Sequence, residues 1–212
     1  MQLDVISDTV CPWCYIGKKR LERALAERPD ADIDMSWRPF QLDPTLPSEG
    51  VDRRAYMEQK FGVERARTIG ETIREVGEQE GIHFAFDKIK RSPNTLDSHR
   101  LIRWAGTAGC QNAVVELLFQ RFFEEGQDIG DQRVLLDIAL EAGMDADIVS
   151  SLLASDADVA LVRKEDRMAR QMGIQGVPAF VIGGRYALVG AQEPETLTRI
   201  FDKLAADAEA TA

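Results

Sequence analysis

Two cysteines stand three residues apart near the start of the chain, in Cys11-Pro12-Trp13-Cys14. Thiols at this spacing can trade electrons with a disulfide. The attacking species is the thiolate, and a free cysteine, with a pKa of about 8.5, is mostly protonated at pH 7. A helix N-terminus changes this balance, because its unpaired N–H groups and macrodipole favour an anion. Here Cys11 falls at such a terminus and Cys14 one turn inside it. Cys11 is therefore expected to be the exposed nucleophile. Cys14 is expected to be the more buried resolving thiol, which attacks the mixed disulfide and releases the substrate. The spacing brings the two sulfurs within bonding reach. Two other readings stay open, half of a zinc site or inert core cysteines. Zinc needs two more ligands, and only Cys110, His83 and His99 are at hand, none of them forming a second close pair. No metal is expected, and no cofactor beyond the redox-active disulfide itself.

Such a site needs a strand to deliver it and a helix to carry it. Residues 2–7 read as the strand, through Leu3, Val5 and Ile6. Cys14, Gly17, Leu21, Ala24 and Leu25 then recur at helical spacing. Pro12 suits the first helical turn, where its missing N–H costs nothing, and Pro29 ends the helix. Ile33, Met35 and Trp37 alternate with polar residues over 32–38, the period of a strand. Strand, helix and strand predict a right-handed parallel βαβ unit. Pro39, Pro44 and Pro47 then break the pattern, and residues 52 to about 172 read as almost all helical. Val114, Val115, Leu118, Phe119, Phe122 and Phe123 form the strongest apolar stripe, taken as core of this segment. Val177–Ile182 reads as a strand, Gly183-Gly184 as a two-residue turn and Arg185–Val189 as the return strand. A helix over Glu193–Leu204 and a fraying tail, Ala205–Ala212, finish the chain. The fold class is thus α/β. Residues 1–40 and 157–212 form one small domain, and 41–156 a helical insertion on it.

Composition narrows the functions. The 212 residues are 44% hydrophobic and 29% charged, ordinary for a globular chain. That length builds a core without disulfide staples, and three cysteines are too few for a disulfide framework. The net charge of −10 argues against a nucleic-acid partner. No apolar run approaches the roughly 20 residues that cross a bilayer, and no signal-peptide pattern opens the sequence. The expected setting is the cytosol, with a cysteine-containing protein or a small thiol as partner and no membrane. The oligomeric state is left open.

The order of strand, Cys-Pro-Trp-Cys, helix, strand, helical insertion, then Gly176-Val177-Pro178 before a hairpin and a last helix resembles the DsbA-like branch of the thioredoxin superfamily. More closely, Asp8-Thr9-Val10-Cys11-Pro12-Trp13-Cys14-Tyr15-Ile16-Gly17-Lys18, Trp37-Arg38-Pro39-Phe40, Pro93-Asn94-Thr95 with His99-Arg100, and Gly190-Ala191-Gln192 look like the FrnE-type proteins. The resemblance spans nearly the whole chain. It implies a thioredoxin-like fold with a large all-helical insertion and a thiol–disulfide oxidoreductase or isomerase activity, and it leaves glutathione open as a co-substrate. The branch also holds kappa-class glutathione transferases and 2-hydroxychromene-2-carboxylate isomerases, which carry serine where Cys11 stands. A glutathione-dependent transferase or isomerase is therefore the alternative. The resemblance further implies a cis Val177-Pro178 bond packed against the dithiol, with the Val177 backbone offered to an extended peptide. From the residues alone, Pro178 could equally start an edge strand.

Pro12 and Trp13 complete the expected substrate-binding set, with Trp13 partly exposed beside Cys11 rather than buried. Pro12 removes a backbone donor and Trp13 cannot carry charge, so the expected potential lies between roughly −270 and −180 mV. His99 and Arg100 either face the dithiol, touching a peptide or a glutathione carboxylate, or form a hydrogen-bonded pair on a helix surface, which the residues alone favour. His83 reads as a loop or strand residue, Cys110 as a buried small residue, and Lys88-Ile89-Lys90-Arg91 as a solvated loop.

Overall fold

The structure, a computed structural model, describes residues 1–209. Strand β1 (Gln2–Ser7) leads directly into helix α1 (Pro12–Ala26), and β2 (Asp34–Pro39) returns beside it. β1 and β2 pair in parallel, Leu3 opposite Met35 and Val5 opposite Trp37. A two-residue strand β3 (Val51–Asp52) opens the helical segment. It continues with α2 (Arg53–Phe61), α3 (Val63–Gln79), a short strand β4 (Arg91–Ser92), α4 (Leu96–Ala108), α5 (Gln111–Phe119), α6 (Gln132–Glu141), α7 (Ala146–Leu153) and α8 (Val159–Gln171). The chain ends with β5 (Ala179–Ile182), β6 (Tyr186–Val189) and α9 (Pro194–Glu209). The main sheet runs β2-β1-β5-β6, with β5 antiparallel to both β1 and β6.

The period-2 alternation of β5 decides what covers the sheet. Phe180 and Ile182 share a core with Leu3, Val5, Leu21 of α1 and Leu197 and Phe201 of α9. Ala179 and Val181 point the other way, into a smaller cluster with Ile6, Phe40, Ala169 of α8 and Ile174. Helices therefore cover both faces. The larger core continues without a break into the helical segment through Leu101, Val114, Leu118, Phe119, Phe122, Phe123, Leu135 and Ile138. Asp52, Asp131 and Asp145 cap α2, α6 and α7, their carboxylates accepting N–H groups of the first turn.

Several local expectations are corrected. The Phe119–Phe123 stripe is not one regular helix: α5 loosens into a single π-turn over Gln120–Glu124. Arg91 is not in a free loop, because β3 and β4 form a short antiparallel ladder, Val51 opposite Ser92. The turn after β5 takes three residues rather than two. Gly183 and Gly184 both adopt positive φ, and Ile182 pairs with Tyr186. The final helix outlasts Leu204 and reaches Glu209, so most of the expected tail is helical. Residues 210–212 of that tail lie outside the described residues.

Candidate active site

The site forms where β1 ends. Asp8, Thr9 and Val10 turn the chain, and Cys11 caps α1 with extended backbone (φ −95°, ψ 111°). Its carbonyl accepts the Cys14 N–H at 3.0 Å and the Tyr15 N–H at 3.3 Å, which starts the helix. Its own N–H donates to the Asp8 carbonyl at 3.1 Å. Pro12 occupies the first helical position. Both thiols are free.

Burial orders the pair less strongly than expected. Cys14 is 1% exposed and Cys11 only 5%, so Cys11 is not an exposed residue. It is reached through a cleft of about 540 Å³ that it lines together with Pro12, Trp13 and Val177. Trp13 is 36% exposed at the rim. Burial pushes the Cys14 thiol well above its ordinary value. The neighbouring Cys11 adds to this, while the Ser7 hydroxyl and the Asp8 backbone pull the other way.

Opposite the sulfurs, the Val177–Pro178 peptide is cis. The Cys11 thiol donates to the Val177 carbonyl at 3.6 Å. Pro178 is buried, and its carbonyl accepts the Gly190 N–H at 2.7 Å. The proline ring lies against α1 at Gly17, where a Cβ would come within 2.8 Å of Pro178 Cγ. Cys11, Cys14, Pro12, Trp13, Val177 and Pro178 thus lie together.

The loop carrying Cys11 is held from below by polar groups, and of these the sequence offered a role only for His99. Asp8 is completely buried. One of its oxygens accepts the Leu42 N–H at 2.7 Å, and the other lies 3.2 Å from His99 Nε2. The same nitrogen is 3.2 Å from the Phe40 carbonyl, a pure acceptor, so Nε2 carries the proton. The Thr9 and Ser98 hydroxyls are 2.8 Å apart. His99 and Arg100 are therefore not a surface pair; both are buried on α4. Arg100 donates to the carbonyls of Leu152, Ser155 and Ala157 at 2.6–2.7 Å, tying down the end of α7 and the chain after it, and among the described residues it makes no hydrogen bond to the dithiol loop. His83 is exposed in a loop, and Cys110 is half-buried at the start of α5 rather than sealed in the core. A signal for Asp8 was present in its place three residues before Cys11; nothing local to His99 announced their pairing.

A second polar cluster fixes α1 to the helical segment. Tyr15 donates to Glu124 of the π-turn at 2.6 Å, and Lys18 and Lys19 each donate to Glu116 of α5 at 2.6 Å. Buried Lys18 also bonds Glu22. Burial pushes the Glu116 carboxyl up, but the hydrogen bonds from Lys18 and Lys19 outweigh it and hold the group below its ordinary value. Burial and the two glutamates push the Tyr15 hydroxyl far above its ordinary value.

Among the described residues, no three His, Cys, Asp or Glu side chains gather as metal ligands would. No helix among them is long and apolar enough to cross a membrane. The model of the DSBA-like thioredoxin domain matches residues 2–202. The chain belongs to this DSBA-like family. It is 30% identical to a probable DsbA oxidoreductase of Streptomyces coelicolor, with a TM-score of 0.87 over 96% of this chain and 89% of that one. It is 29% identical to the uncharacterised protein YwbO of Bacillus subtilis, over 86% of this chain and 87% of that one. The fold is shared with a cytosolic disulfide reductase, DsbM, of Pseudomonas aeruginosa, solved with GSH (18% identity, TM-score 0.63, 100% and 98% of the two chains). The DSBA-like fold accounts for the sheet, the terminal helices and the large helical segment between them. Membership and the adjoining thiols make this a thiol–disulfide oxidoreductase in the broad sense.

Proposed function

We propose that the protein reduces or reshuffles disulfides through Cys11, with Cys14 as the resolving thiol. The observation that carries this reading is the asymmetry of the pair. Cys11 lines the cleft at the helix start, while Cys14 lies behind it, sealed and held as a thiol. The Cys11 thiolate attacks one sulfur of the substrate disulfide. A mixed disulfide forms and the first substrate thiolate leaves and takes up a proton. Cys14, losing its proton, then attacks Cys11 Sγ, and the second substrate thiolate departs. The substrate has gained two electrons and the enzyme holds a Cys11–Cys14 disulfide, which a cysteine-containing protein or a small thiol such as glutathione returns to the dithiol. With one reactive pair, this chemistry suits a reducing compartment such as the cytosol.

The Val177 backbone supports a peptide-like substrate. Its carbonyl faces Cys11, and among the described residues its N–H is paired with no other group. An extended chain could add to both groups as a short strand does.

Insulin reduction by the wild type, Cys11→Ser and Cys14→Ser tests the assignment. Cys11→Ser should be inactive, and Cys14→Ser should accumulate mixed disulfides. Trapping by Cys11→Ser instead would reverse the two roles. Full activity of Cys11→Ser on a glutathione conjugate, without insulin reduction, would favour the transferase or isomerase alternative.

A further inference from the structure

The charged groups lining the dithiol cleft are equal in number, but they do not all pair with one another. Two carboxylates line it, Asp8 and Asp43, and two cations, Arg53 and Lys60. Asp8 is spent on Leu42 N–H and His99. Asp43 accepts the Thr45 hydroxyl at 2.6 Å and the Tyr56 hydroxyl at 3.0 Å. Lys60 donates to that same Tyr56 oxygen at 2.7 Å, so it belongs to the Asp43 group.

Arg53 is left over. Its guanidinium has five N–H donors. The side chain's hydrogen bond among the described residues runs to Ser92 Oγ, at a long 3.4 Å. One face rests near the Phe122 ring, 5.7 Å from its centroid. Surrounding protein strips water from the group and pushes it below its ordinary value, with only Tyr56 acting weakly the other way. Among the described residues, the one side-chain polar atom both sealed and unpaired is Trp37 Nε1. The unspent donors of Arg53 are therefore not walled into the core, and the residue lines the cleft. A partly desolvated guanidinium without a counter-charge, in the wall of a cleft that holds a reactive thiol, is built to receive an anion.

We propose that Arg53 anchors a carboxylate of the substrate, so that the cleft selects disulfides carrying an acidic group close to the reacting sulfur. This rests on the exchange reading above. The rest of the wall fits the same ligand: Val10, Met57, Phe61, Ile69 and Ile73 offer apolar contact for an aliphatic stem. The volume is that of a pocket enclosing a small molecule or a few residues of a peptide. The carboxylate could be the terminal group of a small thiol or the side chain of an acidic peptide residue; the chemistry at Arg53 is the same.

The test is equilibrium binding to the Cys11→Ser/Cys14→Ser double variant, which cannot exchange. Calorimetry would use two pairs of S-methylated probes. One pair is a cysteinyl tripeptide with a free C-terminal carboxylate or a C-terminal amide. The other is a longer end-capped peptide with Glu or Gln next to the methylated cysteine. In at least one pair the carboxylate form should bind about 10-fold or more tightly, as expected for a charge-assisted hydrogen bond. Adding Arg53→Gln should abolish the preference, and Arg53→Lys should restore part of it. The pair that shows the preference identifies the source of the carboxylate. Equal affinities in both pairs, no binding of any probe, or a preference that survives Arg53→Gln would overturn the proposal. Insulin turnover by the wild type is read separately: turnover without a carboxylate preference removes only the Arg53 anchor, and its absence removes the exchange reading.

Discussion

Replacing a helical glycine by alanine should have opposite effects at two positions of this chain, and the difference reports on the contact beneath the active site. Inside a helix, Gly→Ala gains about 1 kcal/mol. At Gly70, within α3, a new Cβ would meet nothing nearer than Phe86 Cδ2 at 4.0 Å, an ordinary contact. Gly70→Ala should therefore stabilise by most of that amount, raising Tm by about 2–4 °C for a chain of this size. At Gly17 the new Cβ would lie 2.8 Å from Pro178 Cγ and 3.5 Å from Phe180 Cζ. Neither neighbour can yield cheaply. The proline ring is rigid, its carbonyl is bonded to Gly190 N–H, and Phe180 is fully buried in the core. Overpacking costs roughly 1–3 kcal/mol. Set against the helix gain, Gly17→Ala should destabilise by about 1 kcal/mol net and lower Tm by about 2–4 °C. It should also displace Pro178 and the adjoining Val177 carbonyl from Cys11, so insulin turnover should fall at temperatures where the variant is fully folded. Thermal melting of both variants by circular dichroism, with insulin turnover at 25 °C, makes the comparison. A Gly17→Ala protein that melts at or above the wild type with unchanged turnover would show that the α1–Pro178 contact is slack and the argument wrong.

Three further outcomes follow from the buried polar groups. The folded pKa of Glu116 lies below its unfolded value, so its contribution to stability is full above about pH 4.3 and is lost as pH falls through the folded value. Urea midpoints measured from pH 7 down to pH 3 should decline less steeply for Glu116→Gln than for the wild type, and identical slopes would mean the cluster carries no pH-dependent stability. Burial raises the Cys14 thiol, so its contribution to the reduced fold is full below about pH 8.5 and is lost as pH rises through the higher folded value. Between pH 7 and 8, iodoacetamide followed by peptide mapping should find Cys11 modified and Cys14 protected until denaturant is added; modification of both in the native protein contradicts the burial argument. Asp8→Asn keeps the shape but puts an amide donor against one of two donors, Leu42 N–H or His99 Nε2–H. It should cost roughly 1–3 kcal/mol in chemical denaturation, and a neutral effect would show that the Asp8 charge is not needed to hold the Cys11 loop.

What the sequence disclosed was what is local. β1, α1, β2 and the β5–β6 hairpin are each written in a short run of apolar spacing, and Cys-Pro-Trp-Cys names its own chemistry. The family motifs added Val177-Pro178, which no spacing links to Cys11. The hidden parts depend on partners distant along the chain. Asp8, Lys18, His99 and Arg100 look like surface residues because hydropathy scores the side chain and not its pairing. Arg53 is one arginine among many in the sequence; its lack of a counter-charge is visible only when 42–46, α2, α3 and 92–95 close around it. The burial of Cys11 was misjudged for a related reason: its helix end is open, but the wall opposite comes from another part of the chain.

One contact described above also dictates when the site can exist. Cys11 meets the Val177 carbonyl across 166 positions of chain. β1 finds β2 after a few dozen residues have been made, but its other neighbour, β5, is synthesised only after the whole helical segment. On a ribosome, the first half-sheet and the Cys-x-x-Cys helix can assemble early while the partner strand is still untranslated. Through that interval both thiols are present, and nothing from residues 177–190 covers them. A chain that stopped before Val177 would carry both cysteines without the carbonyl and the strand that face them.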